Sequence, residues 1–287
     1  MNGLLKFGSV CAILILITWG SAFAGDMDVS VRGGYFYYGE PDAGISYSGV
    51  VSGVRGAYES SFSGVLFRIR TELMSGNLKY DGSLNSHIVE GASATAAPSQ
   101  THSVSYASSL WYSDSTFLMG SSFLKNGFEI RPFIGLGFRY LENPENKEVP
   151  FDYERNTTSI YLPVVLEFHK KISEKQAWGF SGEIDLLLHG STRAKLSDAS
   201  EKYNDLDFDQ ALGAGARVAG FYHCRWMGID LSVKPFVDLW MVKESDSDEL
   251  KYEGSRILVK SADGSYGDYR EPTNITIAGG LELAFYF

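Results

Sequence analysis

The chain ends in the stretch ITIAGGLELAFYF, residues 275–287, and this stretch decides the fold. Its side chains alternate with a period of two, which is the pattern of a β-strand with two different faces. One face holds Ile275, Ile277, Gly279, Leu281, Leu283, Phe285 and Phe287, and the other holds Thr276, Ala278, Gly280, Glu282, Ala284 and Tyr286. The segment is longer than the five or six residues usual in soluble sheets, and it suits a tilted strand that crosses a membrane.

This ending resembles the C-terminal sorting signal of Gram-negative outer-membrane β-barrel proteins, in which a terminal Phe follows apolar or aromatic residues at every second position. The resemblance implies that the barrel assembly machinery is a partner. It also implies that the last strand is the segment which that machinery reads. The residues that carry the signal are Leu281, Leu283, Phe285 and Phe287.

The first 24 residues predict a secretory signal peptide. Lys6 precedes the apolar run 10–17, and the segment closes on Ala22-Phe23-Ala24, which is the basic, apolar and small-residue order of such a signal. The apolar run is too short for a membrane-spanning helix. We therefore expect export through the Sec pathway, cleavage after Ala24 and a single domain over residues 25–287, located in the outer membrane.

Ten segments share the alternation of the last strand and predict an all-β, antiparallel transmembrane barrel, with eight to twelve strands as the possible range. They are placed near 27–38, 49–60, 64–75, 102–113, 127–141, 158–170, 177–190, 206–222, 228–242 and 272–287. Their connections alternate between short and long, as periplasmic turns and extracellular loops do. The stretch 113–126 stays open, because it fits a short helix or a hidden pair of strands as well as a turn.

Composition excludes several other classes of function. The formal net charge of −10 argues against nucleic acid as a partner, since phosphate binding needs clustered Lys and Arg. The histidines and cysteines lack metal-site spacing, so we expect neither a metal nor another cofactor. Removal of the signal leaves Cys224 as the single cysteine, so we expect no internal disulfide.

If the apolar faces meet lipid, the opposite faces place charges of both signs in the lumen. A ten-stranded barrel has little room beyond its own side chains, so we expect a filled interior with paired ions; the alternative is a narrow, charge-lined path for small solutes. The predicted lumen residues are Arg32, Arg55, Glu59, Arg68, Arg70, Glu72, Glu129, Arg131, Arg139, Glu167, Glu183, Asp185, Asp209, Arg217, Lys234, Asp238 and Glu282. The predicted interfacial aromatics are Tyr112, Trp178, Tyr222, Trp226 and Phe287 near the periplasm, and Tyr35, Tyr37 and Tyr140 near the outside.

Two enzyme families of the outer membrane provide alternatives. The chain is similar in size and strand number to the omptin proteases, which use an Asp pair and an Asp-x-His at the barrel mouth. The second loop here lacks that pair, and Asp185 and His189 are four residues apart instead of two. The architecture therefore matches this family and the active-site pattern does not.

The step His189-Gly190-Ser191 resembles the His-x-Ser of outer-membrane phospholipase A and the lipid A deacylases, in which the His is the base for the Ser nucleophile. Asn204 would be the orienting residue. Those families carry the pair on the outside of the barrel, whereas the strand phase predicts that His189 points inward unless a bulge reverses it.

The acidic loops 142–148 and 244–249 depart from calcium-loop spacing and predict solvated surfaces. We also consider whether their carboxylates bridge to lipopolysaccharide through divalent cations. The sequence as a whole favours a non-enzymatic, monomeric outer-membrane barrel, porin-like or with a structural role at the surface. Its partners would be outer-membrane lipid and lipopolysaccharide.

Overall fold

The computed structural model describes residues 25–85, 101–150, 152–260 and 266–287, so the predicted signal peptide lies outside the described residues. Ten antiparallel strands form one closed ring, which confirms the predicted fold class. The strands are β1 Asp26–Glu40, β2 Ile45–Phe62, β3 Val65–Asn85, β4 Thr101–Ser121 continued as Phe123–Lys125, β5 Phe128–Asn143, β6 Arg155–Ser173, β7 Gln176–Ala194, β8 Leu206–Gln210 continued as Gly213–Trp226, β9 Ile229–Val242 and β10 Asn274–Tyr286.

The last strand closes the barrel. β10 pairs with β1, where Arg32 lies opposite Glu282, and on its other edge with β9, where Lys234 lies opposite the same glutamate. A closed ring leaves no free edge along these strands. Within the described ranges, no helix is long and apolar enough to cross a membrane.

The two ends of the barrel differ in their connections. At one end, here called the turn end, adjacent strands are joined by two-residue turns, such as Asn126-Gly127, and the start of β1 at Asp26 and the end of β10 at Tyr286 also lie there. At the other end, here called the loop end, the connections include 195–205 and 243–273. Positive φ angles at Asn126 and Gly127 give the tight turn a backbone twist that matches the twist of the flanking strands.

The stretch 113–126 is neither a helix nor an extra strand pair. β4 runs through it, with Phe117 and Met119 exposed on the outer face and Leu118 fully buried inside. The pairing with β5 keeps one register up to the turn and is interrupted opposite Pro132, which has no N–H to donate to the ladder. The strand count is therefore ten.

Several strands extend further than the sequence predicted. β1 and β2 meet in a four-residue turn, 41–44, and β3 continues to Asn85. The outer face carries the exposed aromatics Trp178, Trp226 and Tyr35, as expected. The prediction for Tyr112 is wrong: it is buried inside, where its hydroxyl donates to Asp114 at 3.1 Å.

Two strands reverse their alternation near the loop end. The pairing of β6 with β7 shifts register between Ile160 and Tyr161, so Leu188 is an extra residue on β7. Leu188 and His189 are both exposed as a result, and the inward positions change from odd to even numbers. β8 changes phase across 211–212, so Asp209 is exposed on the outer face and the prediction that it lines the lumen is wrong.

Candidate functional site: the barrel lumen

The structure places the other predicted lumen charges on the inner face of the barrel. They lie in two layers, with Glu129 at the rim of the turn end, where it is 46% exposed. The inner positions of β3 show why both layers are charged, because Arg68, Arg70 and Glu72 follow one another on the same face at a spacing of two.

The first layer, here called the turn-end ring, consists of Arg55, Glu59, Arg68, Arg131, Glu167, Lys234 and Glu282. Arg68 holds both oxygens of Glu167 on β6, at 2.6 and 2.9 Å, and its Nε donates to Glu59 at 2.8 Å. Arg131 also contacts Glu59. Bidentate guanidinium–carboxylate pairs of this kind are strong and fix both partners in orientation.

The second part of the turn-end ring lies across the lumen from the first. Glu282 is 2% exposed and accepts a hydrogen bond from Arg55 at 2.9 Å, while the Lys234 ammonium lies 3.2 Å away. Each carboxylate of the ring therefore has more than one cation as a neighbour.

The middle layer crosses the lumen and consists of Arg32, Arg70, Glu72, Asp114, Arg139, Glu183, Asp185, Arg217 and Asp238. Arg70 grips Glu183 at 2.6 and 2.8 Å. Arg217 donates to Asp238 at 2.8 Å and lies 3.6 Å from Asp114 on β4, while Arg32 contacts Glu72 and donates to Asp238 at 2.6 Å. Arg217 and Asp238 face each other on the adjacent strands β8 and β9, whereas the other contacts connect strands that are not neighbours in the ring.

Asp114 is the charge of the middle layer that was not predicted from the sequence. It is 2% exposed, accepts hydrogen bonds from Tyr161 at 2.7 Å and from Arg139 at 3.2 Å, and lies at the centre of the middle layer. Asp114 follows Tyr112 by two residues on β4, and this spacing puts both side chains on the same face. The spacing could not be used, because no single secondary structure was predicted for the stretch 113–126.

An aromatic layer covers the middle layer on the loop side. Tyr161 is fully buried and packs edge-to-face on Trp240, with ring centroids 5.5 Å apart. Trp240 also lies under the Arg139 guanidinium at 4.3 Å. Gly137 and Gly215 make room for these rings, since a Cβ at either position would lie within 2.2 Å of ring carbon. The aromatic layer and the middle layer together narrow the lumen to a cavity of about 30 Å³ at this level, bounded by Glu72, Arg139 and Trp240.

A buried clamp, here called the loop-end clamp, joins opposite walls of the barrel. Arg155 on β6 contacts Glu40 on β1, five strands away around the ring, and also Glu271 just before β10. Arg155 further donates to the Tyr38 hydroxyl at 2.6 Å, and Tyr38 donates to Glu40 at 2.7 Å. The clamp was not predicted from the sequence, because its residues lie at positions where loops or strand ends were expected.

Apolar side chains from the loops pack above the clamp. Leu206, Phe208, Tyr203 and Leu250 form a buried cluster between the 195–205 and 243–273 connections. In the 144–154 connection, burial raises the pKa of Asp152, which accepts hydrogen bonds from the Tyr106 hydroxyl at 2.9 Å and from the Asn146 N–H at 2.7 Å. The loop end is therefore covered by ordered structure over the described residues.

A cavity of about 500 Å³, here called the turn-end cavity, lies below the middle layer. Arg32, Arg70 and Arg217 form its ceiling, and the turn-end ring forms its walls. The lining residues continue down to Asp26 and Phe287 at the turn end of the barrel. The lumen is thus hollow near the turn end and filled from the middle layer upward.

The structure places two of the candidate catalytic residues, His189 and Ser191, on one face and separates Asp185 from them. Asp185 is buried in the lumen and His189 is exposed on the outer face, because Leu188 reverses the phase of β7 between them. Ser191 shares the outer face with His189 and lies opposite Asp209 of β8. Asn204 cannot orient His189, since its side-chain oxygen accepts from the Lys251 N–H at 2.6 Å and its amide donates to Glu249.

The predicted assembly signal lies on the outer face of β10. Leu281, Leu283 and Phe287 are 59%, 41% and 76% exposed, while Glu282 between them points to the lumen. Both edges of this strand are paired within the barrel, so the exposed side chains are the part of β10 that remains accessible.

Comparison with known proteins identifies the fold of the chain but does not assign the chain to a family. No family model matches the chain, and no curated protein matches it by sequence. Among solved structures it is similar to the outer membrane protease OmpT from Escherichia coli, with TM-score 0.53, 9% identity and coverage of 92% of this chain and 96% of that one. The outer membrane protein OprG from Pseudomonas aeruginosa aligns over 91% of this chain and 95% of its own, with 7% identity and TM-score 0.34. The chain therefore has the fold of the outer-membrane β-barrel proteins.

Proposed function

We propose that the protein is a non-enzymatic barrel of the outer membrane with a structural role at the surface, and that its lumen is closed to solutes. In this proposal the turn end faces the periplasm and the loop end faces the outside. The observation that carries the proposal is the pair of filled layers, charged and then aromatic, that crosses the lumen between Arg217 and Trp240. A porin needs an open aqueous path, and wide channels belong to barrels of about sixteen strands.

Electrical recording tests the closed lumen. Protein reconstituted into planar bilayers should give no unitary conductance steps. Insertion is checked separately by heat-modifiable migration of protein from the same vesicles, so that a silent bilayer does not reflect failed insertion. Reproducible steps from the folded protein would contradict the proposal and favour the narrow solute path.

Cell-surface labelling tests the location and orientation. In a Cys224→Ser background, Lys147→Cys in the 144–154 connection should react with a membrane-impermeant maleimide on intact Gram-negative cells. The matched variant Glu174→Cys, in the turn between β6 and β7, should react only after the outer membrane is permeabilised. Both native side chains are exposed, so burial does not bias the comparison.

A second candidate function is a serine hydrolase on the outer face. The bulge at Leu188 favours it, because it turns His189 outward beside Ser191, and Asp209 faces Ser191 from the next strand. A serine hydroxyl, an imidazole base and a carboxylate are the groups that acyl transfer needs. In this structure no hydrogen bond connects His189 with Ser191 within the described ranges, which is why the non-enzymatic proposal comes first.

Ester hydrolysis decides between the two functions. If the second candidate is right, release of fatty acid from phospholipid vesicles should be lost in both His189→Ala and Ser191→Ala. The inward neighbour Thr192→Ala should keep the activity. Absence of activity in the folded protein across peptide and phospholipid substrates would leave the structural role.

A further inference from the structure

The turn-end cavity has equal numbers of cationic and carboxylate side chains in its lining, but the cations predominate away from its rim. Six arginines and Lys234 line it, together with seven carboxylates. Two of those carboxylates lie at the rim: Asp26 is exposed, and Asp230 pairs at 2.6 Å with Arg225, which does not line the cavity. Seven cations therefore face five carboxylates inside.

The excess follows from how the ceiling is built. Arg32 and Arg217 line the cavity, but three of the carboxylates that pair with them lie behind the ceiling. Glu183, 3.5 Å from Arg217, is a partner that lines the cavity. Glu72, Asp114 and Asp238 are absent from the cavity lining. The cavity thus meets the cationic side of the middle layer.

Several donors of these arginines are unused. Arg32 Nε, Arg55 Nε, Arg131 Nε and Arg217 Nη2 are buried and have no hydrogen-bond acceptor among the described residues. Arg131 Nε has Glu129 at 3.6 Å, and Arg217 Nη2 has Asp114 at 3.6 Å behind the ceiling; neither contact is within hydrogen-bond distance. Two buried carboxylate oxygens of the same lining, Asp28 Oδ1 and Glu282 Oε1, also have no hydrogen-bond donor among the described residues. Buried polar groups are normally paired, so the three unpaired guanidinium Nε donors around this cavity indicate capacity for an oxyanion acceptor.

We propose that the turn-end cavity binds a small multivalent oxyanion that carries phosphate or carboxylate groups. Guanidinium groups match the planar, multi-oxygen geometry of both classes, and the volume of about 500 Å³ falls within the usual range for small-molecule sites. The filled middle layer leaves the turn end as the route of entry. This inference goes beyond the proposed function and does not depend on it, since binding and conduction are measured separately.

Calorimetry of the folded protein tests the site. Purified full-length barrel in a zwitterionic detergent is titrated at constant ionic strength with inorganic pyrophosphate and, separately, with citrate. We expect saturable binding of at least one probe. Lys234→Gln and Arg131→Gln should each weaken it about tenfold or more, because each removes a charge-assisted hydrogen bond. The control Arg270→Gln, at an exposed loop-end cation, should bind like the wild type.

Each outcome of the titrations either identifies the class of ligand that the cavity binds or overturns the inference. Binding of pyrophosphate alone identifies a phosphate ligand, binding of citrate alone identifies a polycarboxylate, and binding of both identifies a general oxyanion site. Two lumen variants are used so that one folding failure, detected by loss of heat-modifiable migration, leaves the other informative. The inference is overturned if the folded wild type binds neither probe saturably, or if the lumen variants bind as tightly as Arg270→Gln.

Discussion

At the residue scale, the stability of the lumen depends on pairing each buried charge with several groups of opposite charge. Arg217 is 6% exposed and lies within reach of carboxylates from three strands, namely Asp114, Glu183 and Asp238. Two charges taken out of water lose hydration, and their mutual attraction offsets that loss only while both are present. Removal of one member is therefore more harmful than replacement of a pair.

Arg217→Ala should destabilise the folded barrel by about 3–5 kcal/mol, because three buried carboxylates lose a cation at once. Urea unfolding in lipid vesicles, followed by tryptophan fluorescence, measures the change. The matched variant Arg225→Ala breaks an exposed pair with Asp230 and should leave the midpoint nearly unchanged. Equal midpoints for the two variants would show that the middle layer contributes little.

Asp152 gives a pH dependence with a defined sign. Its raised pKa means that the folded protein holds the proton at higher pH than the unfolded chain, whose carboxyl titrates near 3.9. Its contribution to stability is therefore greatest below that value and falls as pH rises through the folded pKa. Asp152→Asn should flatten this part of the profile of melting temperature against pH, whereas the exposed Asp42→Asn should follow the wild-type profile.

At the scale of the element, the bulge in β7 decides which chemistry reaches the outer face. The extra residue at Leu188 moves His189 and Ser191 outward and Thr192 inward. A change of one residue moves every following side chain to the opposite face. Deletion of this extra residue therefore tests what determines the faces of the residues at the end of β7.

Deletion of Leu188 should restore a single alternation without changing the faces of the residues that follow, because inward Leu187 is then joined directly to outward His189. In a Cys224→Ser background, Ser191→Cys should react with a bulky maleimide both in the bulged protein and when Leu188 is also deleted. Thr192→Cys should stay unreactive in both proteins. Loss of labelling at residue 191 together with a gain at residue 192 on deletion would show that Leu188 is not the extra residue that sets these faces.

The turn between β8 and β9 contains a residue poorly suited to its backbone. Met227 has φ +52° and is 83% exposed, whereas the corresponding turn between β4 and β5 uses Asn126 at φ +53°. Asn tolerates this conformation better than Met. Met227→Asn should raise stability by about 1 kcal/mol in urea unfolding. Ile172→Asn, exposed near another turn without positive φ, should give no such gain.

The strands were predictable from sequence because each shows two chemically different faces. β6 is an example, with Ile160, Val164 and Leu166 exposed and Tyr161 and Val165 buried. The end of β4 was not predictable, since Phe117, Leu118 and Met119 are all apolar and hide the alternation. The orientation of His189 depended on a bulge, which leaves no mark in residue type.

The same reasoning explains how much of the lumen was predictable. Alternation identified which charges point inward on regular strands, but the pairs among them depend on the diameter and stagger of the barrel. Glu40, Arg155 and Glu271 were missed because the clamp joins residues at strand ends, where polarity is also typical of loops. Contacts across the ring form only when the barrel closes, so no local sequence pattern predicts them.

At the scale of the whole molecule, closure depends on β10. This strand pairs with β1 and β9 along its length and supplies Glu282 to the turn-end ring. Without it, both neighbours would present unpaired edges, and Arg55 and Lys234 would lose their shared carboxylate.

A chain that ends at residue 273 should therefore fail to form the closed barrel. Unheated samples from membrane fractions should lack the heat-modifiable band on a detergent gel that the full chain gives. The matched substitution Phe287→Ala removes an exposed side chain and keeps the backbone hydrogen bonds between Phe287 and Met27, so the ring stays intact and the band should remain if the protein reaches the membrane. A heat-modifiable band from the truncated chain would show that nine strands close without β10.

The lumen pairs also bear on the order of assembly. Arg32 on the first strand is paired with Asp238 on the ninth, and Arg55 on the second with Glu282 on the tenth, 206 and 227 residues apart in the chain. A half-inserted intermediate made of early strands would hold Arg55 in the bilayer without Glu282, and would leave Arg32 with Glu72 but without Asp238. Insertion strand by strand therefore costs free energy until the final hairpin is in place. The ion network is complete only in the closed barrel, so it stabilises the closed barrel over partly inserted forms.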